Sequence, residues 1–264
     1  MSAATGSSGQ EHENGPILVT GGTGTLGRLL VPRLRDAGRK VRVLSRSSGE
    51  AGEGIEPVTG DLATGEGIAA AVEGAEIIVH CAGSSKGDEE KAANLVRAAS
   101  VAGARHVVFI SVVGVDRPSF GYYASKLAAE RQVAESGLPW TTLRATQFHD
   151  LILMIARQMA KLPVIPVPAG FRFQPVDADE VAARLAELAL GTPAGLVPDL
   201  AGPRVYEMRD LVRDYLQASR KHRLTVPIRL PGKAARTFRA GANLNPERAV
   251  GRRTWEEFLA ERVD

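Results

Sequence analysis

The segment Thr20-Gly21-Gly22-Thr23-Gly24-Thr25-Leu26-Gly27 constrains this chain more than any other. It follows a short apolar run, Ile17–Thr20, and opens onto a helix-like stretch, Leu26–Ala37. Two glycine templates fit it, Gly21-x-x-Gly24-x-x-Gly27 and Gly22-x-Gly24-x-x-Gly27. Positions without a side chain let the backbone turn tightly and approach a phosphate. The free N–H groups and dipole at the following helix start then stabilise the anion. Gly27 allows close packing of that helix on the sheet. Strand, loop and helix in this order predict a dinucleotide pyrophosphate site.

The rhythm that follows extends the prediction. Apolar runs at Ile17–Thr20, Val41–Ser45, Ile55–Thr59, Glu76–His80, His106–Ser111 and Trp140–Ala145 are rich in Val and Ile, as strands buried on both faces require. Between them, Leu26–Ala37, Asp88–Ala102 and Tyr122–Glu135 carry apolar residues at helical spacing, and the first and third end near Gly38 and Gly137. The alternation predicts an α/β doubly wound parallel sheet, the Rossmann fold, with a small C-terminal substrate lobe. The expected organisation is a disordered tail over 1–15, a dinucleotide-binding core over 16–150, and 151–264 completing the same domain and forming the lobe. In that last part Leu151–Leu162, Asp177–Leu190, Glu207–Arg220 and Thr254–Arg262 read as helices, with Asp177 as an N-cap, and Phe171–Val176 reads as a strand.

The second strand bears on which dinucleotide binds. A cofactor without a 2′-phosphate meets an Asp or Glu about 20 residues beyond the loop. Here the strand ends Ser45-Arg46-Ser47-Ser48, with no acid. Arg46 offers a fork of donors to a phosphate, so NADP(H) is favoured over NAD(H). Asp61, in Gly60-Asp61-Leu62 after the third strand, is placed to contact the adenine edge or to cap a helix. Cys81-Ala82-Gly83 after the fourth strand is the close approach to the adenine ribose, where Cys81 acts as a small packing residue.

Together with Tyr122-xxx-Lys126, these motifs resemble the short-chain dehydrogenase/reductase superfamily, and most closely its atypical, NmrA-like branch. Ser111–Val115, Tyr122–Glu130 and Leu143–Asp150 look like that branch as well. The resemblance covers roughly residues 16–190. It implies hydride transfer to a small carbonyl or quinone-like acceptor, with Tyr122 as proton donor, Lys126 as its activator and a ribose anchor, and Ser111 as the orienting hydroxyl. Four residues apart on a helix, Tyr122 and Lys126 share a face, and a cation beside a phenol moves its pKa toward neutrality. Tyr123 stands next door as an alternative. The asparagine that many relatives carry early in the fourth helix falls near Asp88, so the implied proton relay is incomplete. The resemblance also implies a substrate pocket walled by Thr146, Gln147, Phe148 and His149. It equally accommodates a redox-sensing regulatory protein that binds the dinucleotide without turnover.

Charge and composition exclude other classes. The chain of 264 residues has 33 basic and 30 acidic residues, a balance of +3 that does not suggest nucleic acid. One cysteine allows no disulfide within the chain, and the five scattered histidines show no metal-ligand spacing, so no metal is expected. With no secretory signal and no membrane span, the expected location is cytoplasmic. Residues 220–253 break the balance with ten basic residues and one acid, a local +9, and this segment is the expected place for an anionic ligand or partner.

Overall fold

The computed structural model describes residues 15–47, 52–84, 87–117 and 121–263. The expected tail, Gly15 excepted, lies outside the described residues, as does Ser48. The strands are β1 (Ile17–Thr20), β2 (Val41–Ser45), β3 (Ile55–Thr59), β4 (Ile77–His80), β5 (His106–Val112), β6 (Trp140–Ala145), β7 (Val164–Pro168), β8 (Arg172–Phe173), β9 (Gly195–Leu196), β10 (Tyr206–Glu207) and β11 (Leu224–Ile228). The helices are α1 (Thr25–Asp36), α2 (Ile68–Val72), α3 (Asp88–Ala102), α4 (Gly121–Ala134), α5 (His149–Met159), α6 (Ala178–Leu190), α7 (Met208–Ala218), α8 (Lys233–Arg239) and α9 (Trp255–Arg262).

Seven strands form one sheet in the order β3-β2-β1-β4-β5-β6-β9, with every pair parallel. Parallel strands need crossover helices, and these cover both faces. On one face, Leu30 and Leu34 of α1 and Val181 and Leu185 of α6 pack on Val19, Val108 and Leu143. On the other, Ile68 and Leu95 pack on Leu18 and Ile78, while Ala129 and Val133 of α4 pack on Val107 and Phe109. The strand order reverses between β1 and β4, and ligands bind beyond the carboxyl ends of the strands at such a point. The fold is therefore the doubly wound α/β sheet that the sequence predicts.

The C-terminal part builds a second core in which Ile152, Leu153, Leu211, Tyr215, Trp255 and Phe258 are buried together. Two sequence expectations change here. Within Phe171–Val176 only Arg172 and Phe173 pair as a strand, antiparallel to β10. Pro175 has no N–H to donate to a ladder, and the Gln174 backbone N–H donates to the side chain of Gln147 at 3.4 Å instead of to a strand. In the other direction, β7 and β11 form a parallel ribbon that the sequence conceals. Prolines at 166, 168 and 227 make both segments read as non-strand.

Candidate active site

The loop after β1 is built around its missing side chains. Gly21 has a φ of 69°, and a Cβ there would lie 2.7 Å from the Ala82 nitrogen. A Cβ on Gly27 would come within 2.2 Å of the Gly21 carbonyl. α1 then starts at the N-cap Gly24, with no side-chain cap and no acid in its first turn. Its first-turn N–H groups and positive dipole end thus have no anionic side chain of their own, while Thr23, Gly24 and Thr25 are exposed. This cradle fits a pyrophosphate. Thr20 and Leu26 are buried beneath it.

Across the switch point, Thr20 Oγ1 shares a 2.7 Å hydrogen bond with His80 Nδ1 and accepts one from the Ala82 N–H at 3.3 Å. His80 is fully buried and stacks on Phe109, and burial drives its pKa down to about 3, so the ring is neutral. Its one signal in the sequence is a histidine that ends an otherwise apolar strand, which no functional motif marks out. Cys81 is half-buried, and desolvation pushes its thiol up to about 12, which suits a packing residue rather than a reactive one. Asp61 Oδ1 accepts from the Ala63 N–H at 2.8 Å and Leu62 is buried, so Asp61 caps its own turn. Arg46 lies exposed just past β2.

The centre of the site is an ion pair. Lys126 Nζ lies 3.4 Å from Asp88 Oδ2, and both side chains are at most 5% exposed. Asp88 Oδ1 accepts from the Ser84 N–H at 2.8 Å and from Ser84 Oγ at 3.3 Å. The Asp88 N–H donates to Ser125 Oγ at 3.2 Å, which ties α3 to α4. The ammonium also sits 4.7 Å from the centre of the Phe109 ring. Burial lowers the Lys126 pKa, and Asp88 opposes that shift. A Cβ on Gly83 would lie 3.5 Å from both Lys126 Nζ and Asp88 Oδ2, so Gly83 keeps the pair approachable from the loop side.

Ser111 lies on β5 two residues beyond Phe109, and so on the same face of the sheet. Its hydroxyl is buried and has no hydrogen-bond partner among the described residues. Tyr122 opens α4 and is 36% exposed, whereas Tyr123 is buried and meets Tyr122 edge-on at 5.6 Å between centroids. Of the two, Tyr122 is therefore the one that reaches solvent. The expectation that Lys126 lowers the Tyr122 pKa is reversed. Desolvation, with Asp88 adding to it, pushes the phenol up to about 12. The lysine charge is engaged by the carboxylate.

The four residues expected to wall the substrate pocket all make structural ties. Thr146 is buried, and its Oγ1 accepts from the Gly202 N–H at 3.2 Å. Gln147 Nε2 donates to the Asn243 carbonyl at 3.1 Å. Phe148 packs on the sheet core and its backbone bridges to Val176. His149 is fully buried, stacked on Phe258, with Nε2 donating to the Arg253 carbonyl at 3.1 Å and its pKa lowered by burial. It faces the second core, because α5 starts at His149 and its first turn must pack against α9.

Comparison with known proteins agrees with this geometry. Residues 21–186 match the family described as NAD(P)H-binding. A Streptomyces griseus protein named (4-alkanoyl-5-oxo-2,5-dihydrofuran-3-yl)methyl phosphate reductase is 31% identical, over 74% of this chain and 70% of its own length. The NAD(P)H azoreductase of Xenophilus azovorans is 30% identical, over 67% of this chain and 64% of its own. Among solved structures, an Escherichia coli NADPH-dependent quinone oxidoreductase in complex with NADPH superposes with a TM-score of 0.78 at 19% identity, covering 93% of this chain and 99% of that one. The fold and its glycine loop define a dinucleotide-binding protein. The chain belongs to the NAD(P)H-binding family, and the relatives it matches at 30% identity or more include proteins named as reductases.

Proposed function

We propose that the protein is an NADP(H)-dependent reductase of small conjugated acceptors, such as quinones, azo compounds or enones. The observation that carries this is an exposed Tyr122 on the same helix as the buried Lys126, whose ammonium lies over the Phe109 ring, with the Ser111 hydroxyl, unpartnered among the described residues, two residues beyond Phe109 and an uncapped phosphate loop at the same sheet. The acceptor chemistry follows relatives named as reductases of a butenolide-type phosphate ester and of azo compounds. The bound dinucleotide supplies the hydride. The chain's own groups do the rest. Gly21 to Gly27 hold the pyrophosphate, and the exposed Arg46 guanidinium meets the 2′-phosphate. Lys126, fixed by Asp88, donates to the nicotinamide ribose. Ser111 Oγ donates to the acceptor oxygen or nitrogen. The Tyr122 hydroxyl gives the proton that balances the incoming hydride, and solvent replaces it because Tyr122 is open to water.

One observation favours a second reading, a dinucleotide-binding regulator without turnover. The Lys126 charge is spent on Asp88, so nothing activates Tyr122. Steady-state oxidation of NADPH with a panel of quinone, azo and enone acceptors separates the two. The reductase reading expects turnover that falls about 10²- to 10⁴-fold in Tyr122→Phe while NADPH binding is unchanged. No acceptor-dependent oxidation by the wild type would refute it.

A further inference from the structure

Two arginines from separate elements meet at one glycine beside the site. Arg117, in the loop between β5 and α4, donates from Nη1 to the Gly241 carbonyl at 3.3 Å. Arg172, on β8, lies so close over the same residue that a Cβ there would be 3.0 Å from its Nη2. Gly241 has a φ of 74°, so a side chain is opposed there by both backbone and space. Both arginines are exposed, and neither is in an ion pair among the described residues. The acid beside Arg117, Asp116, has its carboxylate held by Arg144 at 2.7 Å, and Arg144 is itself clamped by Glu130 at 2.6 Å.

The place matters as much as the charge. The stretch from Gly241 to Asn245 lies across the carboxyl ends of β5 and β6. Gly114 is so near it that a Cβ would meet the Ala242 carbonyl at 1.9 Å. Gln147 donates to the Asn243 carbonyl, and Asn243 Nδ2 donates to the Arg172 carbonyl at 2.8 Å. This is the edge at which Ser111 and the start of α4 stand. From Tyr122 a chain of rings runs to the same stretch: Tyr122 to Tyr123 at 5.6 Å, Tyr123 to Phe238 at 6.4 Å and Phe238 to Phe171 at 5.3 Å. Arg172 follows Phe171, and Gly241 follows Phe238 by three residues. Two guanidiniums that make no ion pair among the described residues therefore sit at the rim of an aromatic wall, with Asp116 beside Arg117 and Glu207 opposite Arg172 on β10, within the surroundings of the +9 segment 220–253.

We infer that Arg117 and Arg172 form an anion subsite of the acceptor pocket, and that the preferred acceptors are planar conjugated molecules bearing an anionic substituent. The inference rests on the reductase reading above and names its substrate class. Two planar forks approaching one point suit a carboxylate, sulfonate or phosphate group better than a single cation would.

The test compares 1,4-naphthoquinone-2-sulfonate with 1,4-naphthoquinone. Affinity for the NADP⁺-loaded protein is read by fluorescence quenching, and turnover by NADPH oxidation. The sulfonate should bind at least about 10-fold more tightly to the wild type, and added salt should shrink the difference. Arg172→Gln, which leaves the Arg117–Gly241 bond in place, should remove most of that preference without changing affinity for the neutral quinone. Arg117→Gln with Arg172→Gln should bring the two quinones within about 2-fold of each other. Equal affinities in the wild type, or a preference that survives in both variants, overturns the subsite. So does a lower melting temperature with selectivity intact, since the arginines then only brace the end of α8. Anion preference without turnover on either quinone refutes the reductase reading and leaves the subsite standing. Turnover that treats both quinones alike refutes the subsite alone.

Discussion

Replacing Asp88 by Asn isolates the least expected feature of the site. The change keeps the size and the acceptor oxygen that bonds Ser84, and removes the charge facing Lys126 at 3.4 Å and, on its other oxygen, the more exposed Lys91 at 3.6 Å. At 3.4 Å the attraction is roughly 5 kcal/mol for an effective dielectric of about 20. Breaking a buried pair from one side costs about 3–5 kcal/mol, because the surviving charge stays buried and uncompensated. The retained amide contact softens this, so a loss of about 2–4 kcal/mol is expected, or a fall in Tm of roughly 5–10 °C for a chain of this size. Thermal unfolding of Asp88→Asn, Lys126→Met and the double variant gives the full cycle. The double variant should be more stable than Asp88→Asn alone, since the buried orphan charge of Lys126 is gone and Lys91, 18% exposed, can turn to water. The phenol should respond as well. Asp88 adds to the upward shift of Tyr122, so its titration, followed by ultraviolet difference absorbance, should move to lower pH in Asp88→Asn. An Asp88→Asn variant as stable as the wild type with an unmoved Tyr122, or a double variant as unstable as the two single losses added together, would refute the coupling.

Two further outcomes follow from the same geometry. Arg46→Ala should weaken NADPH binding by about 10-fold or more and leave NADH binding unchanged, as read by fluorescence titration; equal effects on both cofactors would sink the 2′-phosphate assignment. His80 is neutral in the folded chain, with a pKa near 3 against 6.5 when exposed, so the unfolded state takes up the extra proton. Stability should be full above about pH 6.5 and fall as pH drops toward 3, by up to about 1.4 kcal/mol per pH unit from this residue. His80→Gln should flatten that slope in urea unfolding at pH 7 and pH 5.

What the sequence made legible were the features written in short-range pattern. The six apolar runs mark the strands within a residue or two, and the glycine spacing in 20–27 marks the cradle, because both depend on neighbours a few residues away. Asp177 was readable as a cap for the same reason, and its side chain does accept from the Asp179 N–H. What the sequence does not show is long-range. Gln147 is spent on Asn243, 96 residues later, and His149 on Arg253, 104 residues later. No local spacing announces such partners. The loop after β6 could be placed at the sheet edge from sequence, but not told apart from a tie to the C-terminal lobe. Asp88 illustrates the boundary. Its position at the start of α3 was visible, while the burial that turns a helix-start acid into the partner of Lys126 depends on α4 packing across it.

The Tyr122 phenol, raised by desolvation and further by Asp88, also sets an expected direction for the chemistry. Oxidising an alcohol needs a base at Tyr122, and with a phenol near 12 only about 1 in 10⁴ of the molecules would hold phenolate at pH 8. Reducing an acceptor needs the protonated phenol, which is then present throughout the neutral and alkaline range. The acid form should therefore sustain NADPH-driven reduction with no loss attributable to Tyr122 up to about pH 11, while NADP⁺ with secondary alcohols should give negligible turnover at pH 8. The two directions can be compared on one protein by following the nicotinamide absorbance. Alcohol oxidation at a rate comparable to reduction, or an alkaline limb near pH 8 that disappears in Tyr122→Phe, would mean that Lys126 leaves Asp88 to activate the phenol when the dinucleotide binds.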